Sequence, residues 1–284
     1  MRARIVDARA ASGELADLRV GLIGAHQAQN AAVSLALLDA IGDRHGVRVS
    51  EGDVRRGLAE VRWPGRLELL DGSRVGLPRV LLDGAHTPAG ARALVAELGD
   101  HARISIDTSK GAVAIAAVEA GATIVNDVWA ARRDPGTADA AAASGSHLVL
   151  MHNQDGTGYP DGVFPAVVTW LAKAVEAAVA RGVSRDRLIL DPGIGFGKTT
   201  ADNLELLHRL GELKATLGGL PLLIGTSRKR FLGELLGGAA PDDRVEGSAA
   251  TVALAVMSGA DIVRVHDVPP IARTLRVADA VVRR

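Results

Sequence analysis

Asp191-Pro192-Gly193-Ile194-Gly195-Phe196-Gly197-Lys198 puts a carboxylate and an amine at the two ends of a glycine-rich turn. An apolar run, Leu188-Ile189-Leu190, precedes it, and leucines at helical spacing follow over 203–217. The pattern reads strand, turn, helix, so the carboxylate stands at a strand's C-terminal tip. That edge is where barrels and open α/β sheets bind ligands. Glycines let backbone approach a ligand closely, while Asp191 and Lys198 offer a fixed acceptor and a fixed donor. Two phosphate-binding patterns come close and miss. A P-loop needs glycine where this chain has Pro192, and a dinucleotide fingerprint needs its third glycine one residue beyond Gly197. A tight turn with a surface lysine is the plainer alternative.

Polar residues recur at the ends of five more apolar runs. Asp107 ends 104–107, Asn126 and Asp127 lie at the end of 123–128, and Met151 and His152 close 148–152. Ser227, Arg228 and Lys229 follow 222–226, and Arg264 and His266 lie in 262–266 with Asp267 just after. Each has an ordinary reading alone: an aspartate caps a helix, Asn126 bonds a neighbouring strand, Arg264 pairs with Asp267. On parallel strands the set converges on one mouth. Two carboxylates, an amide and a lysine beside Ile194, Phe196 and Met151 suit a flat heterocycle with a guanidine-like edge, because a carboxylate accepts two parallel N–H bonds. Arg228, Lys229, Arg264 and His266 form a cationic cluster suited to phosphate or pyrophosphate. Neither a Ser-His-Asp set nor a histidine cluster at metal-ligand spacing is visible, so hydrolase and zinc readings are weak.

Those residues need a scaffold of alternating strands and helices. Helical stretches at 112–120, 135–144, 164–181, 202–217, 244–258 and 269–282 separate the six apolar runs. Such alternation predicts a parallel sheet. The fold class is α/β, a (β/α)8 TIM-type barrel, incomplete at six units, with an N-terminal appendage. The run 79–83, with 88–98 as its helix, is expected to fill a further sheet position, and 20–23 with 27–41 forms another candidate pair. Residues 42–78 are polar, with one short helix at 51–61. The expected domains are 1–100 and 101–284.

Bulk composition narrows the partners. Among 284 residues, 33 basic balance 33 acidic side chains, which argues against nucleic-acid or anionic-membrane binding by net charge. Only 2% are aromatic, too few for base-stacking platforms. Without cysteine there is no disulfide or thiolate chemistry. The first residues lack the apolar core of a signal peptide, and no long apolar run is present. A cytoplasmic protein acting on small molecules, with no nucleic-acid or membrane partner, is expected.

Ile104-Ser105-Ile106-Asp107-Thr108-Ser109-Lys110, Ile124-Val125-Asn126-Asp127, the Asp191 to Lys198 turn, Gly225-Thr226-Ser227-Arg228-Lys229 and Arg264-Val265-His266-Asp267-Val268 closely resemble the dihydropteroate synthase family, in order and spacing, over 103–284. The resemblance implies a (β/α)8 barrel that joins 6-hydroxymethyl-7,8-dihydropterin pyrophosphate to p-aminobenzoate. It implies that Asp107, Asn126, Met151, Asp191 and Lys229 hold the pterin, that Phe196, Ser227 and Lys229 border the p-aminobenzoate pocket, and that Arg264, His266 and Arg228 hold the pyrophosphate. Arg230 stands where that family usually has serine.

The family's two opening loops, one carrying a magnesium-ligating asparagine and a lid, have no counterpart here. Magnesium is thus implied by the resemblance, without its usual ligand, and no metal-ligand set is assigned. Residues 20–98 instead resemble the dihydrofolate/folylpolyglutamate synthase family. The matching pieces are Gly24-Ala25-His26-Gln27-Ala28-Gln29-Asn30, Trp63-Pro64-Gly65-Arg66 and Leu81-Leu82-Asp83-Gly84-Ala85-His86. There Asn30, Arg66 and Asp83 would touch ATP. Three readings follow from the two resemblances. One is a dihydropteroate synthase-type transferase of reduced activity. Another is a catalytically inactive truncated fusion that binds pterins. The third is an ATP-dependent ligase fragment, which lacks that family's phosphate loop. A homodimer is left open.

Overall fold

The computed structural model describes residues 4–10, 13–22, 26–46, 48–61, 68–70, 80–82, 87–98 and 103–282. They fall into two units, each taken by itself. The first holds β1 (Arg4–Ala10), β2 (Gly13–Val20), α1 (His26–His45), α2 (Glu51–Glu60), β3 (Glu68–Leu70) and β4 (Val80–Leu82). Strands β1 and β2 form an antiparallel hairpin with an irregularity between Val6 and Ala8. Such a bulge breaks the two-residue alternation by which a strand is recognised. The strand expected at 20–23 therefore belongs, through Val20, to a hairpin that sequence periodicity did not reveal. Leu15, Leu18 and Leu35 make this unit's core, with Val54 and Leu58 packed on it. Helix α2 starts on Ser50, whose side chain accepts the Asp53 amide and so satisfies a first-turn donor.

Strands β3 and β4 pair antiparallel, Glu68 opposite Leu82, in a two-stranded sheet of their own. This corrects the expectation that 79–83 fills a position in the parallel sheet. A run this short shows that it is apolar but carries no mark of its partner strand.

The second unit opens with α3 (Pro88–Leu98) and continues β5 (Ser105–Asp107), α4 (Gly111–Glu119), β6 (Ile124–Asp127), α5 (Gly136–Ser144), β7 (His147–Met151), α6 (Val163–Ala180) and β8 (Leu188–Asp191). After these come α7 (Thr200–His208), α8 (Leu210–Thr216), β9 (Leu223–Ile224), α9 (Arg230–Leu235), α10 (Val245–Met257), β10 (Ile262–Val263) and α11 (Val268–Val282). Helix α3 packs on α4, so this unit begins ahead of the boundary at 100 drawn from sequence. Strands β5 to β8 pair in parallel and in chain order. A bridge from Leu190 to Leu222 carries the order on to β9, which pairs in parallel with β10.

The result is six consecutive βα units of the TIM-barrel type; among the described residues no strand pairing joins β10 to β5. All of Leu188–Asp191 is buried, as strands covered on both faces require. Each fully buried leucine there contributes roughly 1.5–3 kcal/mol. Helix α6 is long and apolar enough to cross a membrane by composition. Its face of Phe164, Val167, Leu171 and Val175 is buried, and the helix packs on β7. The single helix expected at 202–217 is two, broken at Arg209, whose guanidinium binds Glu205 on one side and Glu212 on the other.

Candidate active site

The strand tips line up across the parallel sheet. Asp107 lies in register with Asn126, and Met151 with Asp191. Asn126, Met151 and Ile194 are buried around the base of this edge. Asp191 is 7% exposed, and its Oδ1 accepts the Gly193 amide at 2.7 Å. Burial pushes its carboxyl up to about 6, against the opposing pull of the Gly193 N–H, Lys229, Lys198 and Arg264. The site resists its charge.

The turn after Asp191 is held shut by named bonds. Gly193 has φ +70°, and a Cβ there would stand 1.9 Å from the His152 carbonyl oxygen, so only glycine fits. The Gly195 amide donates to Asn203 Oδ1 at 2.6 Å, and Asn203 Nδ2 donates to the Thr199 carbonyl at 2.7 Å. Tyr159 donates its hydroxyl proton to the Gly197 carbonyl at 2.8 Å. The Lys229 stem crosses directly above Gly195, where a Cβ would lie 2.7 Å from its Cδ. Its ammonium sits 3.8 Å from the centroid of the Phe196 ring. Burial pushes Lys229 down to about 8, with Asp191 opposing and Arg264 adding to the fall. A cation stacked on a ring next to a buried carboxylate is a surface for a flat polar heterocycle.

Lys198 does something else. It is 4% exposed, and its amine is taken up by acceptors inside the protein. It donates to the Gly193 and Phe196 carbonyls at 3.0 and 2.9 Å and lies 2.9 Å from His152 Nδ1. The sequence expectation of a donor to ligand, or of a surface lysine, is corrected on both counts. Burial favours turning an amine inward only where several acceptors wait, as they do here.

The opposite rim is open. Arg264 pairs with Asp107 at 2.9 Å, with side chains 63% and 45% exposed. Arg228 has φ +60° and grips both Asp267 oxygens, Nε at 3.1 Å and Nη2 at 2.6 Å. The pairing of Arg264 with Asp267 suggested by their closeness in sequence is thus replaced: Asp267 belongs to Arg228, and Arg264 reaches across to the first strand of the sheet. Ser227 is buried and its Oγ accepts the His266 amide at 3.1 Å and lies 3.2 Å from His266 Nδ1. It holds His266 in place. His266 is pushed below its ordinary value by burial first and by the Arg228 and Arg264 charges next. Buried Asp127 takes the Trp129 and Ala131 amides and the Thr137 hydroxyl, which makes it a loop anchor. Exposed Arg230 faces Glu234 at 3.6 Å.

Of the residues suggested to touch ATP, Asn30 is exposed on α1 and donates to Gln27 Oε1 at 2.9 Å. Arg66 and Asp83 lie outside the described residues. Sequence reasoning missed the holding roles of Tyr159 and Asn203; neither sits in a periodic pattern that would have marked it. Among the described residues no group of three or more His, Cys, Asp or Glu could hold a metal ion.

Residues 91–266 match the family model described as pterin binding enzyme, and the chain belongs to that family. It is 47% identical over 181 residues to the dihydropteroate synthase of Bacillus subtilis (strain 168), covering 64% of this chain and 62% of that one. Among solved structures, dihydropteroate synthase of Xanthomonas albilineans with 4-aminobenzoic acid is 42% identical with a TM-score of 0.63, over 67% of this chain and 69% of that one. The Thermus thermophilus dihydropteroate synthase in complex with 6HMPPP is 40% identical with a TM-score of 0.62, over 68% and 74%. The chain therefore spans about 62% of the length of the Bacillus relative it matches.

Proposed function

We propose that this chain carries a dihydropteroate synthase-type transferase site, joining 6-hydroxymethyl-7,8-dihydropterin pyrophosphate to p-aminobenzoate in folate biosynthesis. The observation that carries this is buried Asp191 beside Lys229, itself stacked on Phe196. The Asp191 carboxylate accepts the two N–H bonds of the pterin's guanidine-like edge, the Asn126 amide meets its mixed donor–acceptor edge, and Lys229 donates to a ring heteroatom. When the methylene C–O bond breaks, the electron pair leaves with pyrophosphate and the pterin ring delocalises the positive charge. The arylamine nitrogen then forms the new C–N bond and releases its proton. The protein's task is to orient the amine and stabilise the leaving anion.

On this reading Arg264 and His266 receive the pyrophosphate. Arg264 must loosen its contact with Asp107 to do so, which frees Asp107 for the pterin. Arg228, gripped by Asp267, acts as a fixed field rather than a reaching hand. Among the described residues no group of three or more His, Cys, Asp or Glu could hold a metal ion by itself, and a magnesium ion would rest mainly on the pyrophosphate oxygens. Incorporation of p-aminobenzoate by purified protein given pterin pyrophosphate, with and without magnesium, tests the reading. No product in either condition would overturn it.

A second reading, a catalytically inactive fusion that binds pterins, is favoured by one observation: both rim arginines already face carboxylates. Residues 20–98 are proposed as derived from the dihydrofolate/folylpolyglutamate synthase family. A homodimer through α10 and α11 is proposed from exposed Leu254, Met257, Val277 and Val281, and sedimentation reads it out. The proposed setting is cytoplasmic.

A further inference from the structure

We propose that Lys198 and His152 form a buried bolt that shapes the turn from Asp191 to Phe196, making Lys198 a positioning residue for pterin and arylamine alike although it touches neither. The proposal rests on the transferase reading for the identity of the ligands, and on geometry alone for the bolt.

An ammonium has three N–H donors and no acceptor. At Lys198 three acceptors are in place: Gly193 O at 3.0 Å, Phe196 O at 2.9 Å and His152 Nδ1 at 2.9 Å. Two of them belong to the turn itself, so one charge draws both of its carbonyls to a single point. The third ties the turn to the end of β7, where the His152 amide also donates to the Asp191 carbonyl at 2.9 Å. Two outward features depend on this. The Gly193 amide is aimed at Asp191 Oδ1, and the Phe196 ring is left facing the Lys229 ammonium. The acceptor for the pterin edge and the aromatic face for the arylamine are therefore set by one inward-facing amine.

His152 suits this role because its Nδ1 must be unprotonated to accept. Burial, then the Lys198 and Arg132 charges, push it down to about 3, so the ring is neutral throughout the working range. The ring is itself held edge-on to Trp170 with centroids 5.1 Å apart, and near Tyr159 at 6.1 Å. Around Lys198, Asp191 and Asp202 favour the ammonium and Lys229 opposes it, while burial brings it down to about 7. Loss of its proton leaves two donors for three acceptors. The turn should loosen as pH rises through neutrality.

The test compares the full chain with Lys198→Met, which keeps the stem and removes the donors, and His152→Gln, which keeps an acceptor. Amide hydrogen exchange over 193–197 is measured without ligand across pH, corrected for intrinsic base catalysis. Pterin affinity and the KM for p-aminobenzoate are measured beside it. In Lys198→Met we expect faster exchange at Gly193 and Gly195, no pH-dependent loosening, and about tenfold or greater loss in both substrate constants. His152→Gln should stay within about threefold of wild type. If wild type binds no pterin, the transferase reading fails while exchange still reports on the bolt. Unchanged exchange in Lys198→Met, or a fall in melting temperature with both substrate constants intact, would overturn the proposal. Should Lys198→Met not fold, His152→Leu removes one acceptor and leaves the amine; it should speed exchange at Gly193 with the pH dependence kept, and unchanged exchange there would overturn the proposal.

Discussion

The two sides of the mouth are built to different standards. On the β8 side, Asp191, Lys198 and Asn203 are buried, and the turn's amides and carbonyls have side-chain partners at 2.6 to 3.0 Å. On the β5 and β10 side, Asp107 and Arg264 meet across open water. A solvent-exposed pair contributes about 0–1 kcal/mol and rearranges readily, whereas a buried, fully bonded turn does not. On the proposed function, the difference teaches that recognition of the flat ring is built in before binding, while handling of the leaving group must be assembled on binding.

The sharpest way to break this contrast is Gly193→Ala. The added Cβ would collide with the His152 carbonyl in a backbone conformation that alanine resists. Calorimetry should show pterin affinity reduced by on the order of 10²-fold or more, since small misplacements of a binding group cost that much. Affinity near wild type would mean the turn is not pre-set.

Asp191→Asn should have the next largest effect, because an amide cannot accept two N–H bonds at one edge. Pterin affinity should fall by roughly 2–3 kcal/mol. Stability should move the other way. The Asp191 carboxyl is raised from 3.8 to about 6, so its contribution to stability is fully present below the lower value and is lost as pH rises through the higher. Asp191→Asn should therefore be more stable than wild type at pH 7.5, by on the order of 3 kcal/mol, with the gap closing below about pH 4. Equal melting at both pH values would contradict the burial argument.

On the open rim the effects should shrink. Arg264→Ala should lower turnover about tenfold, a loss of about 1.4 kcal/mol that added salt reduces. Its affinity for a pterin lacking pyrophosphate should hold or improve as Asp107 is released. A hundredfold loss insensitive to salt would mean the arginine is enclosed in the reacting complex. Smallest of all, Arg230→Ser should change the KM for p-aminobenzoate by less than about threefold, because the side chain is 78% exposed and faces Glu234. A larger shift would place it in the arylamine pocket.

The same contrast explains what could be read from the chain beforehand. Strand β8 was located to the residue, because a run of Leu188-Ile189-Leu190 ahead of Asp-Pro-Gly leaves little choice. Helices α4, α5, α6, α10 and α11 agree with expectation to within a residue or so at each end, their small and apolar residues repeating at helical spacing. Helix α9, six residues long, is too short to show a period. What stayed hidden was direction and partnership. Nothing local says that Lys198 turns inward, that Arg264 reaches a carboxylate near the start of the sheet, or that β4 pairs with β3. These are decided by contacts between segments far apart, and one-dimensional spacing does not encode them.

The closed turn also constrains how this chain can change over generations. Gly193 admits no side chain, and removing the Gly193 or His152 partner leaves buried Asp191 or Lys198 short of a hydrogen bond. Arg264, Arg230 and Asp107, lying in water, can be exchanged at small cost in folding. Drift should therefore accumulate at the leaving-group rim first. If the proposed function holds, a descendant of this protein could lose or redirect group transfer while a grip on the pterin ring persisted, which makes the turn the last legible trace of its ancestry.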